Sequence, residues 1–292
     1  MTIVVTGATG AVGRLVTEGL VRAGAKVRAV SRAPERAGLP DGVEVRAGDL
    51  KRPETLDGVF DGAERLYLFP HAATATEVVA RAKEAGVRRV VVLSSGAVTG
   101  GFDTEYHLPV ERAVEEAGLE WTHVRPGEFM HNRLLVWGPS IRAEGVVRDP
   151  DPDSSWCPVH EADIADVAVT ALLEDGHAGA AYDLNGPGFV SHRQMVALIA
   201  EAAGREIAFE RITPEQALEL YRAQPGFTAD NAAFLSGFED YAGEPADPHA
   251  AADFDLAAYG PFPTIEAVTG AQARDFARWA RDHADAFRVL SG

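Results

Sequence analysis

Three glycines at regular spacing are the first residues here whose pattern implies chemistry. In "TGATGAVG", Gly7, Gly10 and Gly13 recur every third position between a short apolar run and an amphipathic one. Between a strand and a helix, this pattern binds a dinucleotide. Gly7 permits the tight turn, Gly10 lets backbone approach a pyrophosphate, and Gly13 lets helix pack closely on strand. Thr9, Ala11 and Val12 complete the turn, whose helix start aims unpaired N–H groups at an anion.

The end of the next apolar run selects the dinucleotide. NAD sites place an acid there to hold the ribose diol. Here "AVSRAPER" offers Ser31, Arg32 and Arg36, with no acid before Glu35. A guanidinium takes a 2′-phosphate bidentately, and a charge-assisted hydrogen bond contributes about 1.5–3 kcal/mol. The expected cofactor is therefore NADP(H), with Arg32 the first phosphate ligand and Arg36 the second. Asp49 and Leu50 in "AGDL" should lie beside the adenine, Phe69 and Pro70 on the adenosine and ribose side, and Ser94 near the cofactor.

The elements that must position these residues follow from periodicity. "TIVVTG", "KVRAVSR", "VEVRAGDL", "RLYLFP", "RRVVVLSS" and "EWTHVRPG" are strand-like; helix patterns follow the first, fourth and fifth, the last of these at about 104–117. Near-continuous apolar strands alternating with helices predict an α/β fold of Rossmann type, a doubly wound parallel sheet covered on both faces. The expected organisation is a dinucleotide-binding domain over 1–150, with 160–187 returning to the sheet through the strand-like "AAYDL", and a smaller, mostly helical substrate lobe over 188–292. "REIAFERI" is a further strand candidate. Beyond 213 the pattern is helical, interrupted by "AGEPADPHA" and "AYGPFPT".

Composition narrows the partners. The 292 residues are 46% apolar, enough for a sizeable core, and the single Cys157 excludes an intrachain disulfide or a cysteine zinc cluster. Of the formal charge of −17, residues 1–150 carry −1 and residues 151–292 carry −16. That distribution argues against nucleic acid and anionic membranes as partners. With a strand beginning at Thr2 and no membrane-length apolar run, a cytoplasmic monomer or homodimer acting on a small-molecule substrate is expected. No His/Asp/Glu set has metal-ligand spacing.

"TGATGAVG", "AGDL", "VVVLSSGA", "ERAVEEAGLEWTHVRPGEFMHN" and "CPVHEADIADVAVTALLEDGHAGAAYDLNGP" together resemble the NmrA-like, atypical branch of the short-chain dehydrogenase/reductases over residues 1 to about 200. The resemblance implies NADP(H) binding and either ketone or quinone reduction or non-catalytic redox sensing. The superfamily's usual Tyr-x-x-x-Lys pair has no counterpart. The only lysines are Lys26, Lys51 and Lys83, all before the fifth strand. If Tyr106 is the family tyrosine, Val110 stands at the lysine position. If the helix is registered on Glu111, Asp103 and His107 take the tyrosine and lysine positions, the register favoured here. Gly96 stands where the superfamily often places its catalytic Ser or Thr, leaving Ser94 and Ser95 as nearby hydroxyls.

Hydride transfer requires a donor carbon about 3–3.5 Å from the acceptor and a destination for developing oxygen charge. Pro126, Gly127 and Phe129 in "RPGEFMHN" are expected to flank the nicotinamide. His107, Tyr106 and Ser95 are the candidate proton donors; His107 reads equally well as a packing histidine and Tyr106 as a pocket wall. His131 and Asn132 sit where substrate loops gather, or cap a helix, while His160 and Asp163 fit a helix start. The expected activity is NADPH-dependent reduction of a ketone or quinone on an aromatic or polycyclic molecule. Its alternatives are an NADP(H) sensor and, less favoured, a sugar-nucleotide epimerase.

Overall fold

Buried apolar runs flanked by turn residues form seven short strands: β1 (Thr2–Val5), β2 (Lys26–Ser31), β3 (Glu44–Ala47), β4 (Arg65–Leu68), β5 (Arg89–Leu93), β6 (Glu120–Pro126) and β9 (Ala180–Leu184). In this computed structural model, which describes residues 1–246 and 260–288, they pair in the order β3-β2-β1-β4-β5-β6-β9. Every pairing is parallel; Ile3, for example, lies between Val27 and Arg65. The strand order reverses between β1 and β4, and in such sheets a ligand binds outside the carboxyl ends at that point. The fold is the expected Rossmann-type α/β sheet.

The strands are apolar throughout because both sheet faces are covered. Val4, Leu66, Leu68, Val90 and Val92 share one core with Val78 and Val79 of α2 (Ala75–Glu84) and Val110 and Val114 of α4 (Leu108–Glu116). The intervening Ile3, Val5, Tyr67 and Val91 are also wholly buried. α1 (Ala11–Arg22) packs against α7 (Glu161–Leu173) closely enough that a Cβ on Gly19 would meet Val169 at 2.9 Å.

The chain divides into two units. The first comprises Met1–Pro126, Glu161–Leu184 and Pro263–Gln272, and the remainder forms the second. The expected boundary at 150 moves to Pro126. Met130, Val136, Trp137, Ile141 and Val147 enter a different core, with Met195, Ile199, Tyr221, Trp279 and Phe287. That core gathers α5 (Asn132–Val136), α6 (Gly138–Glu144), α8 (His192–Ala203) and α9 (Pro214–Arg222). Capping boxes start α8 at Ser191 with Gln194 and α9 at Thr213 with Gln216. The "REIAFERI" strand forms as β11 (Ala208–Arg211), parallel to β7 (Val146–Asp149) in a separate two-stranded sheet. Another pair joins β8 (Ser155–Trp156) to β10 (Val190–Ser191). Parts of "AGEPADPHA" and "AYGPFPT" lie outside the described residues. Among those described, no helix is long and apolar enough to cross a membrane.

Candidate active site

The glycine turn closes β1 onto α1. Gly7 has φ +62°, a left-handed conformation that favours glycine, and a Cβ there would meet the Phe69 Cβ at 2.9 Å. The Gly10 amide donates to the Gly7 carbonyl at 3.0 Å, and Gly10 then caps α1 in extended conformation. Among the described residues no side chain caps this end, and no acid stands in its first turn, where Ala11, Val12 and Gly13 present their amides. A Cβ on Gly13 would lie 2.2 Å from the Gly7 carbonyl oxygen, so α1 approaches the turn at a distance that any side chain would block. Thr9 is exposed on the turn and Val12 is buried beneath it.

A threonine that sequence reasoning missed joins this turn to β4. The Thr6 hydroxyl donates to the Tyr67 carbonyl at 3.0 Å and accepts from the Phe69 amide at 2.7 Å. That clamp sets Phe69, 45% exposed, beside Gly7, with Pro70 half-buried after it. After β2, the Ser31 hydroxyl accepts from the Ala33 amide at 3.1 Å, and Pro34–Arg36 forms one tight turn. Arg14, also missed, donates from α1 to the Gly38 and Ala37 carbonyls at 2.6 and 3.0 Å, tying this loop to the glycine turn. Arg32 is exposed at the strand end, and the exposed Arg36 approaches Glu35 at 3.4 Å.

Asp49 accepts from the Lys51 amide at 3.0 Å, and this bond holds its carboxyl below the usual range. Arg52 stands 3.6 Å away. Leu50 packs on the core while its carbonyl accepts from Thr74 at 2.6 Å. These residues line the carboxyl ends of β1 to β4.

The ends of β5 and β6 carry a second constellation. Ser94 is buried: its amide donates to the Val124 carbonyl at 2.7 Å and its hydroxyl to Glu111 at 2.5 Å. Arg125 grips the same carboxylate with bonds of 2.9 and 2.6 Å, and reaches Thr99 at 3.1 Å. Thr99 in turn donates to Asp183 on β9 at 2.7 Å. Burial pushes the Glu111 pKa up, but the Arg125 and Ser94 bonds outweigh it and leave the carboxyl below its ordinary value. Ser95 caps the short helix α3 (Gly96–Thr99), accepting from the Ala97 amide at 3.2 Å.

The expected helix over 104–117 begins only at Leu108, because the carboxylate of Asp103 accepts the Tyr106 and His107 amides at 2.9 and 3.0 Å and organises a turn first. Pro109 then sits in the opening turn of α4. Tyr106 is 59% exposed, Val110 is fully buried in the core, and His107 Nδ1 lies 2.5 Å from the other Asp103 oxygen. Pro126 ends β6 in the first unit, whereas Gly127 and Phe129 belong to the second, where Phe129 bridges to Val159. His131 and Asn132 open α5; His160 precedes α7 and Asp163 lies in its first turn.

Residues 7–175 match a family model described as NAD(P)H-binding. Over 98% of its length the chain is 36% identical to 99% of the (4-alkanoyl-5-oxo-2,5-dihydrofuran-3-yl)methyl phosphate reductase of Streptomyces griseus subsp. griseus. The chain belongs to the NAD(P)H-binding family that this model describes. It is also 33% identical to the NAD(P)H azoreductase of Xenophilus azovorans, again over 98% of this chain and 99% of the relative. Its fold matches the triphenylmethane reductase of Citrobacter sp., crystallised with NADP(H), with a TM-score of 0.74 at 22% identity over 97% of this chain and all of the other.

As a member of an NAD(P)H-binding family the chain has NAD(P)H as its cofactor, and the turn fits that group. Cβ atoms on Gly10 and Gly13 would press on the Gly7 carbonyl and one on Gly7 would meet Phe69, and the first turn of α1 carries no acid of its own. Of the residues expected at the NmrA-like site, the structure brings the glycine turn, Arg32, Asp49 and Phe69 to the carboxyl ends of β1 to β4. It places Ser95, Tyr106 and His107 after β5. The Ser94 hydroxyl is turned to Glu111. Asp103, Arg125 and Glu111 acquire partners that local sequence did not specify; the only signal was the His-x-x-x-Glu spacing of His107 and Glu111.

Proposed function

We propose that this protein is an NADPH-dependent reductase of a ketone or quinone group on an aromatic or polycyclic small molecule. NADPH, when bound, supplies the hydride. The observation that carries the reading is the uncapped α1 terminus behind Gly7, Gly10 and Gly13, with Arg32 at the end of β2 where an NAD site would hold an acid. The named relatives support it, since one reduces an alkanoyl dihydrofuranone phosphate and the other is an azoreductase. Both relatives are named as reductases of small organic acceptors.

No Tyr–Lys pair assists the acceptor in this reading. Val110, four residues after Tyr106, is wholly buried, and Tyr106 stands outside α4. The proton for the acceptor oxygen comes from His107, with Ser95 and Tyr106 nearby along the chain. Arg32 receives the 2′-phosphate, and the exposed Arg36 contributes less.

Calorimetry and a turnover panel test the proposal together. NADPH should bind roughly ten- to hundredfold more tightly than NADH, and Arg32→Ala should remove that preference. NADPH absorbance should fall with polycyclic quinones or aromatic ketones. Equal affinities in the wild-type protein would take Arg32 out of its role. Tight NADPH binding without turnover across the panel, together with a captured protein partner, would favour a sensor.

A further inference from the structure

The turn before α4 holds a carboxylate in a setting that helix capping alone does not require. Asp103 is 1% exposed. Its backbone amide donates to the Ala97 carbonyl at 3.2 Å, fixing it to α3. One carboxylate oxygen accepts the Tyr106 and His107 amides, which organises the turn. The other faces the His107 ring at Nδ1, 2.5 Å away. Burying a carboxylate costs several kcal/mol unless donors replace its water, and here two amides and an imidazole do so. Burial pushes the Asp103 pKa up, yet these bonds outweigh it, so the group stays ionised through the neutral range.

We propose that Asp103 is a positioning residue that fixes the tautomer and orientation of His107, the two forming an Asp–His pair in place of the superfamily's Tyr–Lys pair. The inference rests on the reductase reading. An ionised carboxylate can only accept, so it keeps the proton on Nδ1 and leaves Nε2 as the nitrogen that exchanges a proton. As the acceptor carbon gains hydride, its carbon–oxygen π bond opens onto oxygen. The Nε2–H bond of the charged ring then breaks toward that oxygen. The neutral ring retains its Nδ1 proton on Asp103 and recovers the Nε2 proton from solvent. Overall, NADPH, one proton and the carbonyl give NADP+ and the alcohol.

The backbone makes this pairing available. His107 immediately precedes Leu108, where α4 begins, so its ring is carried by a turn whose geometry Asp103 itself sets. Tyr106 in the same turn is largely exposed, and it meets Asp103 through its backbone amide rather than its phenol.

Nitrogen NMR of 15N-histidine-labelled protein, recorded above the ordinary imidazole titration range, reads the tautomer directly. The His107 ring should carry its proton on Nδ1 in the wild type. In Asp103→Asn the remaining oxygen still accepts the two amides, so the turn should hold, but the new NH2 faces the ring and should move the proton to Nε2. That variant should lose about 10²–10⁴ in kcat with KM and NADPH affinity unchanged, as expected when a general acid is held in the wrong tautomer. An Nε2-protonated ring in the wild type, or an Asp103→Asn enzyme with wild-type kcat, would overturn the assignment. A wild type that turns over no acceptor while its ring is protonated on Nδ1 would instead defeat the reductase reading and leave the Asp103–His107 orientation supported.

Discussion

Tyr106 and His107 are neighbours in sequence with unlike surroundings, and that difference sets their expected importance. A phenol with an ordinary pKa near 10 is a poor acid at neutrality without a cation beside it. Position 110 is a buried valine, so no cation stands there. Tyr106→Phe should therefore retain most activity. His107→Phe should lose about 10²–10⁴ in kcat if the ring supplies the proton, and nearer tenfold if the acceptor polarises itself. Steady-state kcat for the two folded, NADPH-binding variants separates these outcomes; a thousandfold loss on Tyr106→Phe would return the tyrosine to the chemistry. At this scale the sequence was legible where function needs only local backbone. Gly7, Gly10 and Gly13 announce a turn by their spacing, and Arg32 stands one residue past β2. Thr6 and Arg14 were not legible, and Asp103 only as a position in the favoured register, because each acts through a partner fixed by folding: the Tyr67 carbonyl, the Gly38 carbonyl and the His107 ring.

Elements were legible where the apolar period was long and uninterrupted, as in β5, α1 and α7. The start of α4 was not, since periodicity cannot show that Asp103 captures the two amides preceding the helix. β6 shows what an element adds beyond its strand pairing. His123 is fully buried there, stacked on Trp121 with ring centroids 4.4 Å apart, and its Nε2 lies 3.0 Å from Glu115. Burial lowers its pKa, outweighing the nearby carboxylates of Glu111 and Glu115. A histidine whose folded pKa is depressed binds its proton more readily when unfolded. Its contribution to stability is thus complete above the ordinary value near 6.5 and is lost as pH falls through the folded value. Asp103 and Glu111, also depressed, add their own losses below about 4 as they protonate. Chemical denaturation across pH should show stability declining below about 6.5 and more steeply in the carboxylate range. His123→Leu should flatten the first decline and leave the second; an unchanged slope between about pH 7 and pH 5 would assign it to other groups.

For the whole molecule, the chain order of the two units is the feature least visible in sequence. Strand alternation stops near 126, and the residues to 150 look like more of the same domain until their burial partners are known. Trp137 and Ile141 pack with Ile199 and Trp279, residues distant in sequence, so no window of local pattern could assign them. "AAYDL", strand-like after an amphipathic run, forms β9 of the sheet, whereas the contribution of Pro263–Gln272 to the first unit had no signal in the sequence. This bears directly on where the cofactor domain can be cut. A fragment ending at 150 would lack α7 and β9. It would leave the outer edge of β6 unpaired and expose the surface of α1 that α7 covers. Ile164, Val167 and Leu172 of α7 are completely buried, and each apolar side chain of this size contributes about 1.5–3 kcal/mol on burial. Losing those three alone removes about 5–9 kcal/mol, comparable to the roughly 5–15 kcal/mol by which a domain is stable. Fragment 1–150 should therefore lack a cooperative melting transition and dispersed amide resonances, and should show no heat of NADPH binding. A folded fragment that binds NADPH like the full chain would show that β1 to β6 with their own helices suffice, and that α7 and β9 only decorate a complete cofactor domain.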